Sequence, residues 1–151
     1  MMQADHAWMQ IALEEAALAA SEGEIPVGVV IVKDGRMLAR AHNLREQQHD
    51  PTEHAEMRCL KEAATLLHDW RLTGCTLYVT LEPCPMCAGA LAMSRISHVV
   101  FGARDKEYGC CGSVYDLVAD PAFQSNTTWQ DGVCAEQASE MLTSFFKNRR
   151  K

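Results

Sequence analysis

The chain has 151 residues, 48% of them hydrophobic and 23% charged, which is enough apolar material for a single domain spanning 1–151 with a true core. Its formal net charge of -6 repels a polyanion as a whole-molecule field, so any contact with nucleic acid must be local. No stretch has the length of a membrane span, and the first residues lack the basic start and apolar run of a secretory signal, so a cytoplasmic protein with no membrane partner is expected.

In chain order, Ala7, Ile11 and Leu18 recur at helical spacing until Gly23, which predicts a first helix stopped by a residue tolerant of the left-handed region. A β-branched run at 27–32, the turn pair Asp34-Gly35 and the segment Met37 to Ala41 predict two antiparallel strands. The polar stretch from Asn43 to Pro51 reads as a loop, and Cys59, Leu60, Ala63 and Leu67 resume a helical stripe that starts at Ala55. Leu77, Val79 and Leu81 alternate with Thr76, Tyr78 and Thr80 up to Glu82-Pro83, a strand signal followed by a helix with Ala88, Leu91 and Ala92 on its apolar face. Ser97 to Phe101 reads as a further strand and Thr127 to Gln130 as a weaker one, and Cys134, Ala138, Met141, Leu142 and Phe145 mark one face of a terminal helix. Strands alternating with helices predict the α/β class, as a three-layer α-β-α arrangement with a mixed five-stranded sheet.

Seven cysteines at irregular spacing make a poor disulfide framework and suit a reducing compartment. The chemistry concentrates in two short runs, His54-Ala55-Glu56 and Pro83-Cys84-Pro85-Met86-Cys87, each at the entrance to a predicted helix. Zinc takes nitrogen and thiolate ligands in a tetrahedron, and two cysteines three apart converge on one ion from a single turn. A helix N-terminus also stabilises thiolates, and Pro85 costs nothing in a first turn, where its missing N–H has no partner to lose. On a regular helix His54 and Glu56 would point about 200° apart, since each residue advances roughly 100°. They can face one target only if the chain is still extended where the helix begins. Three protein ligands, His54, Cys84 and Cys87, leave a fourth position for water, which is the arrangement of catalytic zinc. A Cys-x-x-Cys pair alone would also serve as a redox couple, and Cys110 with Cys111 could complete a structural four-cysteine site.

The pairing of His-x-Glu with Pro-Cys-x-x-Cys is the signature of zinc-dependent nucleobase deaminases. Beyond these motifs the chain resembles the bacterial tRNA-specific adenosine deaminases along nearly its whole length, through Glu24 to Gly28, Asp50-Pro51-Thr52, Thr76 to Pro83, Ser94-Arg95-Ile96, Val99 to Arg104 and Phe145-Phe146. That resemblance implies a cytidine-deaminase-like fold, a homodimer with one Zn2+ per subunit, and conversion of the wobble adenosine of a tRNA anticodon loop to inosine. It further implies that Glu56 shuttles protons while a zinc-activated water attacks C6 of adenine, and that Asn43 and the backbone N–H of Ala55 hold the base. Phe145, Arg149 and Arg150 are the candidate RNA contacts, in a C-terminal cluster with Lys147 and Lys151, because basic groups beside aromatics suit a phosphate backbone and unstacked bases, and His42, Arg45 and Arg104 are weaker ones. Two departures weaken the RNA-facing edge: two positions after Asp105, in a loop near the RNA, Glu107 stands where the family commonly has lysine, with Lys106 beside Asp105 instead, and Phe123-Gln124-Ser125-Asn126 lacks the basic residue often found there. The same metal site on this fold class also serves deaminases of free guanine or cytosine, which is the alternative function.

Overall fold

The computed structural model describes residues 2–123 and 125–149. The elements run α1 (Met2–Ser21), β1 (Gly28–Lys33), β2 (Arg36–His42), α2 (Arg45–Gln48), α3 (Ala55–Leu67), β3 (Cys75–Leu81), α4 (Pro85–Met93), β4 (His98–Ala103), β5 (Thr128–Gln130) and α5 (Ala135–Arg149), with a short 3-10 turn at Pro121–Phe123. The five strands form one sheet in the order β2-β1-β3-β4-β5. β1 pairs antiparallel with β2 and β3, while β3, β4 and β5 run parallel, so the sheet is mixed, as expected from the sequence.

The pleat sorts the central strands into two cores. Val29, Ile31, Leu77, Val79, Val99 and Phe101 pack with Cys59, Ala63, Ala88 and Leu91 of α3 and α4. Val30, Val32, Tyr78 and Val100 face the other way, onto Met9, Ala12 and Leu13 of α1 and Ala138 of α5. This is the three-layer arrangement. The crossover from β3 to β4 is α4, and it places the Glu82-Pro83-Cys84 link at the carboxyl end of β3, where open α/β sheets build their ligand sites.

The first helix is where predicted but rotated about its axis. Ala7 and Leu18 are exposed, and the buried side is Met9, Ala12, Leu13, Ala16 and Ala19. Alanine on every side leaves no sharp apolar stripe to read, and backbone approach chooses the face instead. A Cβ built on Gly28 would collide with the Ala12 carbonyl oxygen and lie 2.6 Å from the Ala16 nitrogen. The helix therefore rests directly on the first residue of β1, and what would have to give way is helix backbone and the Glu15 Cβ at 2.8 Å, not the far end of a flexible side chain. Gly28→Ala is expected to destabilise the fold by about 3 kcal/mol, the upper range for overpacking a rigid site. A urea midpoint within experimental error of the parent, at unchanged slope, would contradict this close packing.

The segment Asn43 to Pro51, expected to be a loop, contains the single turn α2, closed by His49 in the left-handed region at φ 51. The reason lies outside the segment. Glu24, fully buried, accepts hydrogen bonds from the backbone N–H groups of Glu46 (3.0 Å) and Gln47 (2.8 Å). A carboxylate thus satisfies the otherwise unpaired N–H groups of this turn from some twenty residues away, and local propensity carries no trace of it.

Candidate metal centre and cleft

His54 and Cys84 occupy matching positions in the two helices of one layer: each is the N-cap residue, of α3 and α4 respectively. His54 has φ -72 and ψ 152, Cys84 has φ -74 and ψ 174, and neither side chain caps its own helix. The extended backbone at His54 is what lets its side chain and that of Glu56 both line the same cleft. Pro85 opens α4 at its first turn, where it fixes the start of the helix, and Cys87 follows one turn behind Cys84 with no exposed surface.

These placements bring His54 Nδ1 to 3.7 Å from Cys84 Sγ and 3.6 Å from Cys87 Sγ. Zinc bonds of about 2.3 Å to sulfur and about 2.0–2.1 Å to nitrogen at a tetrahedral angle set nitrogen and sulfur about 3.6 Å apart, so this donor set fits a zinc ion through Nδ1. Among the described residues this is the one group of three such donors within 4.8 Å of one another. Cys110 and Cys111 are buried but stand outside it and pack as small apolar residues in the same core as α3 and α4. Without an ion the three groups share protons. Cys84 is pulled down to about 4, foremost by the hydrogen bond from Cys87 and then by His54, against the effect of its burial. The Cys87 thiol is held protonated by donating to Cys84 and by burial, and His54 is raised by its partner Cys84. An anionic sulfur beside an imidazole at a helix N-terminus is a preformed seat for a cation.

The centre lies in a cleft of about 640 Å³, the size of a small-ligand site. Glu56 lines it and is 4% exposed; burial pushes its carboxyl up to about 7. Asn43 is buried at the same cleft, fixed by accepting from the Arg45 N–H at 3.1 Å. Ala55 opens α3 beside it, so its N–H has no partner within the helix.

Of the remaining sequence candidates, Arg104 reaches the cleft but is engaged: it pairs with Asp131 at 2.7 Å and its guanidinium sits 5.6 Å from the Phe101 ring and 5.5 Å from that of Trp129. Phe145 and Arg149 face a separate shallow hollow beside the end of α1, with the Arg149 guanidinium 5.2 Å from the Phe145 ring and donating to the Gly23 carbonyl at 2.7 Å. The aromatic of that pair which lines the cleft is Phe146, with Leu142 one turn before it. His42 is taken up by Glu15 (2.8 Å) and Glu22 (3.0 Å), whereas Arg45 lines the cleft. Arg150, Lys151 and Gln124 lie outside the described residues.

On the far wall, the run Asp105-Lys106-Glu107 lies near the cleft as the sequence resemblance implies, whereas Tyr108 and the anchoring role of Glu82 are not foreseen from it. Asp105, Lys106, Glu107 and Tyr108 all line the cleft, and Glu82 holds the loop that bears them. The buried Glu82 carboxylate accepts the N–H groups of Asp105, Cys111 and Ser113, each at 3.0 Å, together with the Ser113 hydroxyl. Its place next to Pro83-Cys84 was the available signal, since a carboxylate at the end of a buried strand must find several donors.

Comparison with known proteins agrees with this geometry. A model of the cytidine and deoxycytidylate deaminase zinc-binding region matches residues 2–103. The chain is 47% identical over 150 residues to a tRNA-specific adenosine deaminase of Bacillus subtilis (strain 168), covering 99% of this chain and 93% of that protein. It is 46% identical over 143 residues to a tRNA-specific adenosine deaminase of Aquifex aeolicus (strain VF5), covering 95% and 94%. A solved structure from work on A-to-I editing by tRNA:A34 deaminases at the wobble position of transfer RNA is similar with a TM-score of 0.87 at 37% identity, covering 90% of this chain and 99% of that one. A guanine deaminase from Nitrosomonas europaea has the same fold, with a TM-score of 0.81 at 20% identity over 93% of this chain and 83% of that one.

Proposed function

The chain belongs to the tRNA-specific adenosine deaminases of the cytidine and deoxycytidylate deaminase family, and from that premise we propose that it hydrolyses the wobble adenosine of a tRNA anticodon loop to inosine and ammonia. The observation that carries the reading is a donor set of three, His54, Cys84 and Cys87, beside the buried carboxylate of Glu56 in one cleft. A zinc ion bound by those three residues supplies a Lewis acid that lowers the pKa of a water towards neutrality.

Glu56 carries the protons. A carboxylate whose proton affinity is raised by burial takes one proton from the attacking water near neutral pH and gives it to the ring nitrogen next to C6, then takes the remaining proton from the oxygen now on C6 and gives it to the departing amino group. One water is consumed and one ammonia leaves, so Glu56 ends each turnover as it began. The Asn43 side chain and the Ala55 N–H hold and orient the base, and Leu81 and Leu142 add apolar surface to the cleft lining. An anticodon loop is single-stranded, so extruding its adenine costs less than opening a duplex. Arg45 and Lys106 at the cleft place single cations beside the acidic Asp105 and Glu107, so phosphate contacts here are local and the net charge of -6 does not favour them.

The whole chain acts as one deaminase domain, and the protein works as a cytoplasmic homodimer. Met93, 66% exposed at the end of α4, and Leu66, 57% exposed near the end of α3, are apolar surface that assembly would cover. Among the described residues no helix is long and apolar enough to cross a membrane.

The decisive experiment incubates zinc-loaded protein with an arginine anticodon stem-loop bearing adenosine at the wobble position, followed by nucleoside analysis. Inosine at that position alone is the expected result. No inosine, with zinc confirmed present, would transfer the chemistry to free guanine, cytosine or nucleotides.

A further inference from the structure

Tyr108 is the cleft residue that neither the chemistry nor the fold accounts for. It lines the cleft, yet its side chain is 62% exposed, and no described residue hydrogen-bonds its hydroxyl. An apolar ring left in water at the mouth of a ligand site contributes nothing to the core.

The backbone beneath it is the opposite of loose. The Tyr108 N–H donates to Asp105 Oδ1 at 3.1 Å, the Gly109 N–H to the Asp105 carbonyl at 2.9 Å, and the Cys110 N–H to the Pro83 carbonyl at 2.8 Å. Glu82 ties both ends of the loop through Asp105 and Ser113. A Cβ on Gly109 would collide with the Asp105 carbonyl oxygen and the Glu82 carboxylate, so the chain here is closed onto its anchor as tightly as glycine permits. The loop is therefore held by Glu82 and Pro83, and the ring is not needed to hold it. A rigid loop that presents a free aromatic face is organised to bind.

We propose that Tyr108 is a stacking surface for a nucleotide adjoining the reacting adenosine, and that it selects a single-stranded loop over a free base. This rests on the tRNA reading above. Its partner in the cleft is Phe146, 43% exposed on α5, so exposed aromatic faces come from two separate elements around one opening. Lys106, two residues before Tyr108 and flanked by Asp105 and Glu107, and Arg45 on α2 line the same cleft, so the ring has cations as well as carboxylates beside it. Stacking suits this position because every base has a π-face, and a tyrosine with two rotatable side-chain bonds loses little freedom on binding.

The test measures binding separately from turnover. A labelled anticodon stem-loop is titrated by fluorescence anisotropy into zinc-loaded protein carrying Glu56→Gln, alone and combined with Tyr108→Ala, Tyr108→Phe or Tyr108→Leu. Tyr108→Ala and Tyr108→Leu are expected to raise Kd by about 5- to 100-fold, the range for losing one stacked base, and Tyr108→Phe to change it less than about twofold. An unchanged Kd in Tyr108→Ala, Tyr108→Leu binding as well as Tyr108→Phe, or an altered assembly state by sedimentation would each overturn the stacking role. Failure of the tRNA reading is seen elsewhere, as an absence of inosine with wild-type protein. RNA that binds in a Tyr108-dependent way without being deaminated would leave the stacking surface standing, and RNA that does not bind at all would remove it.

Discussion

Glu56→Gln is expected to lower kcat for wobble deamination by about a thousandfold, in the middle of the range for a lost general acid–base group, while zinc content stays at one per subunit. The substitution is nearly isosteric, and the residue is 4% exposed in a packed site, so a fall in rate from misfolding would show as a shift in melting temperature. Activity within tenfold of the parent would remove Glu56 from the mechanism, and loss of zinc would make it a ligand. The pH dependence gives a second reading of the same residue. The proton must leave Glu56 before it can act as a base, so the rate falls as pH drops through its pKa. Burial, the foremost cause, pushes that value up to about 7, and a neighbouring cation favours the carboxylate and moves it lower. The acid limb of kcat/KM therefore belongs at or below pH 7 in the zinc enzyme, and the residual rate of Glu56→Gln should lack it.

Cys87→Ala should leave the purified protein without stoichiometric zinc and reduce inosine formation to background. The residue is fully buried and 3.6 Å from His54 Nδ1, so its loss leaves two ligands that cannot hold a tetrahedral ion at cellular zinc levels. Metal analysis showing full occupancy in this variant would prove the ligand set wrong. In the parent, the Cys87 thiol is held protonated when no ion is present, so zinc uptake at neutral pH must release at least one proton. Zinc affinity should fall about tenfold per pH unit of acidification for each proton displaced.

The centre was legible from the sequence because its residues lie in two short runs at helix entrances, and helix starts are marked by local signals such as Pro85. The five strands were legible for a similar reason: β-branched alternation is a local pattern, and Val29 to Val32 or Leu77 to Val79 declare both of their faces. What stayed hidden depends on partners distant in the chain. The face of α1 is chosen by the missing side chain of Gly28, α2 is held by Glu24, and the cleft wall from Asp105 to Ser113 is held by Glu82. The choice between Phe145 and Phe146 is finer still. Adjacent residues on a helix differ by about 100°, and only the packing of α5 against the sheet and α1 decides which ring meets the cleft.

The two N-cap residues of α3 and α4 have a consequence for how the sequence could drift. At most helix starts Ser, Asp or Asn closes an open N–H group with its side chain, and each such cap stabilises by about 1 kcal/mol. His54 and Cys84 point theirs away from their own helices. Stability and chemistry therefore make opposite demands on the same two positions. A chain improved for robustness without its metal would be drawn to His54→Asp or Cys84→Ser and would become inert in one substitution, and it is the stability gained on binding the ion that offsets the two open helix ends of the working enzyme.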